Sequence, residues 1–108
     1  MWKKIDDSYM NSELIFPLKQ KAVGNMVKAC KEDPNIIKVI VFGSSITSAC
    51  NPWSDIDIYF ELEKENNVFP ITHDKAVFDK WDNFSVSGEL LKEINEKGVI
   101  VYERKRSE

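Results

Sequence analysis

KVIVFGSSITSACNPWSDIDIYFEL, residues 38–62, is the stretch whose reading decides the fold. A β-branched apolar run from Ile36 to Phe42 ends in Gly43-Ser44; ten residues later Asp55 and Asp57 flank Ile56. The run predicts a buried strand, and SACNPWS, around Asn51-Pro52, predicts a turn. From Asp55 to Leu62 apolar and polar residues alternate. Ile56, Ile58, Phe60 and Leu62 fall on one face of a strand, Asp55, Asp57, Tyr59 and Glu61 on the other. The first face is expected to pack on helices and the second to stay open to water or ligand. Two like charges on one strand repel each other, so either they face solvent or a cation sits between them.

Outward from this stretch, the spacing of Leu18, Ala22, Met26 and Cys30, with Val23 and Val27 beside them, predicts an amphipathic helix. Pro17 suits its first turn and Pro34 its far boundary; the N-terminal helical region is expected within residues 12–32. VFPI and KAVFDKW are read as two short strands, Pro70 restricting the first to an edge. Ser87 to Lys97 predicts a second helix with Leu90, Leu91 and Ile94 buried and Gly98 as its stop; VIVYE closes as a strand. Strands precede and separate helices without strict alternation. The expected class is therefore α+β, or a small α/β sandwich with a mixed sheet.

A chain of 108 residues, 43% apolar, is expected to form one domain spanning 1–108. Its net charge of −3 offers nucleic acid no general attraction, so no direct nucleic-acid binding is expected. The basic run Arg104-Lys105-Arg106 reads as a solvated tail. Cys30 and Cys50 have no CxxC spacing and His73 is the single imidazole, which excludes a zinc site and suggests free thiols in a reducing cytoplasm. MWKKIDDSYM lacks the apolar core of a signal peptide, and no run reaches the roughly 18 apolar residues of a membrane span. A cytoplasmic protein without membrane contact is the expectation.

The chemistry lies in the opening stretch. Asp55 and Asp57, two apart on a strand, can share a divalent cation. Hard oxygen donors suit Mg²⁺, which keeps several waters and completes its shell from substrate phosphates. Gly43 lets the backbone approach a phosphate, and Ser44 offers a hydroxyl and an N–H where a short helix could begin. A phosphate grip beside a metal grip would hold a Mg²⁺-bound triphosphate. Separately, Gly-Ser turns and Asp-x-Asp strands are common; together, each on a convincing strand, they are specific.

FGSSITSACNPWSDIDIYFE resembles the signature of the minimal nucleotidyltransferases of the DNA polymerase β superfamily: Gly-Ser, ten residues, Asp-x-Asp, and a third carboxylate on a later strand. The resemblance runs from residue 36 to the C-terminal ELLKEINEKGVIVYE and makes 36–103 the catalytic core. It implies a polymerase-β-like fold, a small mixed sheet with helices packed on one face. It implies transfer of a nucleoside monophosphate, AMP from ATP being favoured, to an acceptor hydroxyl with release of pyrophosphate. Gly43, Ser44 and Ser45 would bind the nucleotide; Asp55, Asp57 and Asp79 would be the catalytic, Mg²⁺-binding acids. Counting back from ELLKEI puts the third acid in VFDKW, at Asp79; Asp82, Asp74 and Glu61 are the alternatives.

The pattern departs from the family in two places. Arginine and glycine often follow Gly-Ser, whereas this chain has Ser45, Ile46, Thr47 and Ser48. The link between the last two acid-bearing strands is short, suggesting a hairpin-like connection. A chain of this size resembles the antitoxin half of toxin–antitoxin pairs, with a hydroxyl of a helical partner protein encoded nearby as acceptor; self-association is also open. The alternative is a catalytically inactive module of the same fold that binds nucleotide or a partner. Trp53 reads as packing its turn or stacking on a base, Trp81 as a core or rim aromatic, Tyr59 as cross-strand packing, His73 as exposed, and Ser54 as support for the start of the strand.

Overall fold

A computed structural model describes residues 2–65 and 78–104. The elements run α1 (Pro17–Cys30), β1 (Ile36–Phe42), β2 (Ile56–Leu62), β3 (Phe78–Asp82), α2 (Gly88–Lys97) and β4 (Val99–Glu103), with short 3₁₀ turns at Ser12–Leu14 and Gly43–Ile46. The sheet order is β3-β2-β1-β4. β1 is antiparallel to both β2 and β4, and β2 is parallel to β3, so the sheet is mixed as expected.

β1 is central and covered on both faces, which is why its sequence is a β-branched run without alternation. Val39 and Val41 join Ile56, Ile58 and Phe60 of β2 in one cluster with Val23, Met26, Val27 and Cys30 of α1. Ile40 and Phe42 join Tyr59, Trp81 and Ile94 in a second cluster, with Leu90 and Leu91 of α2 against it. The helices therefore lie on opposite faces, not on one. The face of β2 expected to be open is only partly so: Asp57 and Glu61 are half-buried, and Tyr59 between them is buried in the cluster that α2 covers. A ten-residue helix such as α2 is marginal alone. It is fixed by the fully buried Ile94 and by its N-cap, the Ser87 side chain accepting from Leu90 N at 3.2 Å.

The first helix starts at Pro17, where the proline was expected to place its first turn, and a separate 3₁₀ turn at Ser12–Leu14 precedes it. A residue before proline is pushed out of the α region, and Phe16 is extended at φ −52°, ψ 130°. Its buried stripe is also rotated: Leu18 is 55% exposed, while Lys19 and Gln20 are buried. Gln20 explains the rotation, because its Oε1 accepts from Ile5 N at 2.6 Å and its Nε2 donates to Lys3 O at 2.8 Å. One amide thus ties the N-terminal segment to this face. Gly98 ends α2 in extended backbone, φ −68°; a β-carbon there would overlap Ile40 Cγ2 and the Ile94 carbonyl oxygen, so glycine is needed for close approach.

β2 and β3 are parallel, so they do not form the hairpin that the short link suggested, since a hairpin joins antiparallel strands. The VFPI strand, His73 and Asp74 lie outside the described residues. So do residues 105–108 of the basic tail. Arg104 is no loose end: its guanidinium donates to Pro34 O and stands 3.6 Å from Glu63 Oε2. Both cysteines are free and buried, and burial, then Asp33, pushes the Cys30 thiol up to about 12, far from reactivity. No helix among the described residues is long and apolar enough to cross a membrane.

Candidate functional site

The site forms where β1 ends. In register, Phe42 is opposite Asp57, and Asp57 is opposite Asp79 on the parallel neighbour. One row across three strands therefore ends in two carboxylates, with Asp55 just before β2 begins. Straight after Phe42 the chain turns at Gly43, with φ +74°, a backbone that costs any other L-residue strain. A β-carbon on Gly43 would overlap Asp57 Oδ2 and lie 3.1 Å from Asp57 Cγ. Glycine is thus required twice, by conformation and by the carboxylate seated against it. The Gly-Ser turn and the Asp-x-Asp strand meet at this contact.

Burial first, then Asp79, then Asp55, raise the Asp57 carboxyl above the ordinary aspartate value of 3.8. Each cause disfavours its charged form. The three acids are thus electrostatically one group, Asp57 half-buried at its centre and Asp55 and Asp79 exposed at its edges. As their side chains stand, no set of three or more His, Cys, Asp or Glu among the described residues is arranged to hold a metal ion. Asp57 and Asp79 nonetheless share one register position on neighbouring strands. Paired residues on neighbouring strands sit about 4.8 Å apart, and carboxylates on them converge by side-chain rotation alone. All-oxygen, doubly acidic donors fit a hard divalent cation, and the sulfur and imidazole that zinc prefers are absent from this group.

Asp82 has other work. Its Oδ1 accepts from Phe84 N at 2.8 Å and from Ser85 N at 2.9 Å, so it builds the turn between β3 and α2. Glu61 lies four residues beyond Asp57, about 13 Å along the strand. Of the turn residues, Gly43 touches Asp57, and half-buried Ser44 closes the 3₁₀ turn by accepting from Thr47 N and Thr47 Oγ1, each at 3.0 Å. Ser45 is fully buried, its carbonyl accepting from Phe16 N at 2.8 Å. Its side chain therefore points into the fold, away from the surface that Gly43 and Asp57 share.

A cleft of about 390 Å³ opens beside this contact, lined by Gly43 and Thr47 of the turn, Asp57 of the sheet, and Glu93 and Lys97 of α2. Nothing in the sequence marks Lys97 and Glu93 as site residues; they are exposed positions of α2 that only its packing brings beside the turn. Lys19 was missed too. Its buried ammonium donates to Ser54 O at 2.7 Å and Pro52 O at 3.4 Å, so α1 staples the turn that delivers Asp55. Ser54 Oγ supports that turn as expected, accepting from Asn51 N at 3.2 Å. Trp53, at 90% exposed, does not pack it. Tyr59 and Trp81 are packing residues, the Trp81 ring edge-on to Phe42 at 5.4 Å.

No curated protein matches the chain. The sequence profile of the nucleotidyltransferase domain family matches residues 23–106, from α1 past β4, and so takes in the glycine turn and all three aspartates. The chain therefore belongs to the nucleotidyltransferase domain family, of the minimal, polymerase-β-like kind.

Proposed function

We propose that this domain transfers AMP from Mg²⁺-bound ATP to an acceptor hydroxyl, with Asp55, Asp57 and Asp79 as its acids and the Gly43-Ser44 turn as its phosphate grip. The observation that carries this reading is the contact of Gly43 with Asp57 next to Asp79. An exposed glycine backbone beside paired aspartates is the arrangement that a grip on a Mg²⁺-bound triphosphate requires, which supports the reading. In the reaction the acceptor oxygen bonds to the α-phosphorus, the bond to the β-phosphate oxygen breaks, and its electron pair leaves with pyrophosphate. Asp79, exposed at the edge of the group, is suited to receive the hydroxyl proton. Bound Mg²⁺ would supply Lewis-acid stabilisation of the attacking and leaving oxygens. Ser44 N–H and the exposed backbone at Gly43 would orient the phosphates.

The acceptor rests on family resemblance rather than geometry: a hydroxyl on a helical partner protein, in a toxin–antitoxin pairing. The test is incubation with α-labelled ATP, Mg²⁺ and the protein encoded beside it, followed by mass analysis. A gain of one AMP on the partner, lost with Asp57→Asn, is expected. An unmodified partner and no pyrophosphate would contradict it. One observation favours a second reading, a nucleotide-binding module without turnover: residues 45–48 carry no arginine to hold the triphosphate. Binding of ATP without pyrophosphate release in the partner's presence would favour that reading.

A further inference from the structure

The Gly43-Ser44 turn carries no cation of its own, and a lysine lines the cleft beside it. Its walls contribute two carboxylates, Asp57 and Glu93, and one ammonium, Lys97. Asp55 and Asp79 do not line it, so the cleft lies on the turn side of the acid group, away from the edge where the acceptor proton would go. Resting on the function proposed above, we infer that Lys97 binds the β- and γ-phosphates of the nucleotide, replacing from α2 the arginines that Ser45, Ile46, Thr47 and Ser48 do not provide.

The placement of Lys97 is built into the fold. It is the last residue of α2, between fully buried Ile94 and Gly98, whose lack of a side chain lets the helix end close onto Ile40. Its backbone is therefore fixed, while its four-carbon stem lets the ammonium sweep the cleft. The ammonium stands 4.0 Å from Glu93 Oε1, one helical turn back, with both side chains mostly exposed. Such a pair is weak and easily exchanged for a phosphate. Glu93 thus holds Lys97 over the cleft without locking it. Among the described residues, a second cleft of similar size holds Lys28 and Lys31 beside Asp6, and neither the glycine turn nor the acid group lines it.

Calorimetric titration with MgATP and with MgAMP, on wild type and on Lys97→Met, Lys97→Arg, Glu93→Gln and Asp57→Asn, tests this. Lys97→Met is expected to weaken MgATP by about 10- to 100-fold, the range for a charge-assisted hydrogen bond. MgAMP should change less than about twofold, because it lacks the phosphates that Lys97 would touch. Lys97→Arg should restore most of the MgATP affinity, and Glu93→Gln should tighten it by removing a competitor and a like charge. Unchanged MgATP binding in Lys97→Met, with loss in Asp57→Asn, would overturn the role of Lys97 and leave the nucleotide site standing. Equal weakening of MgATP and MgAMP would overturn it as well. Wild type binding neither nucleotide would overturn the site, and the role of Lys97 with it.

Discussion

Gly43→Ala probes the contact on which the site depends. An alanine forced to φ +74° costs roughly 1–2 kcal/mol. Its β-carbon would also overlap Asp57 Oδ2, and overpacking of this kind costs about 1–3 kcal/mol. The single variant should therefore lose about 2–5 kcal/mol in urea unfolding. Asp57→Ala removes the overlapped oxygen and leaves its β-carbon 3.4 Å from the new methyl, an ordinary contact. In that background Gly43→Ala should cost the backbone part alone, about 1–2 kcal/mol. The double-mutant cycle then yields a coupling of about 1–3 kcal/mol, well outside the ~0.3–0.5 kcal/mol scatter of independent sites. If Asp57 escapes by rotating its carboxylate aside, the coupling falls to the lower end and cation binding is lost in its place. Strict additivity of the two costs would refute the contact, and with it the convergence of turn and strand.

Two other substitutions separate charge from structure. Because Asp57 has a raised pKa in the fold, the folded state binds its proton more tightly than the unfolded chain. Stability then falls as pH rises from 3.8 through the raised value, and the cost is fully present above it. In chelator-treated buffer Asp57→Asn should accordingly be more stable than wild type at pH 7, with the gap closing below pH 3.8; equal stability at both pH values would contradict this. Asp82→Ala removes the acceptor for Phe84 N and Ser85 N and should cost about 1–3 kcal/mol by thermal or urea unfolding. Its nucleotide affinity should be unchanged, and a selective loss of binding with normal stability would make Asp82 the third acid instead.

What the sequence made legible follows from period. The run at Ile36–Phe42 and the alternation of Ile56, Ile58, Phe60 and Leu62 each specify a strand and its buried face. Pro17 and Ser87 mark their helix starts. Gly43-Ser44 and Asp55-Ile56-Asp57 stand out because charge and turn chemistry interrupt apolar strands, a conflict with folding that calls for another explanation. Relations between elements were not legible. Alternation says which residues share a face but not which helix covers it, so α2 was assigned to the wrong side. Lys19 and Gln20 interrupt the apolar stripe of α1, and only their distant carbonyl and amide partners explain their burial. Ser45 follows Ser44 in sequence, but the tight 3₁₀ turn sends its side chain inward.

The most direct test is paramagnetic: Mn²⁺-bound ATP is titrated into isotope-labelled protein, and the broadening of each backbone amide signal is mapped. The account predicts broadening centred on Gly43, Asp57 and Asp79, extending to Thr47 and Lys97, and weakest around Lys28 and Lys31. Broadening centred on Lys28 and Lys31, or spread evenly over the surface, would contradict it.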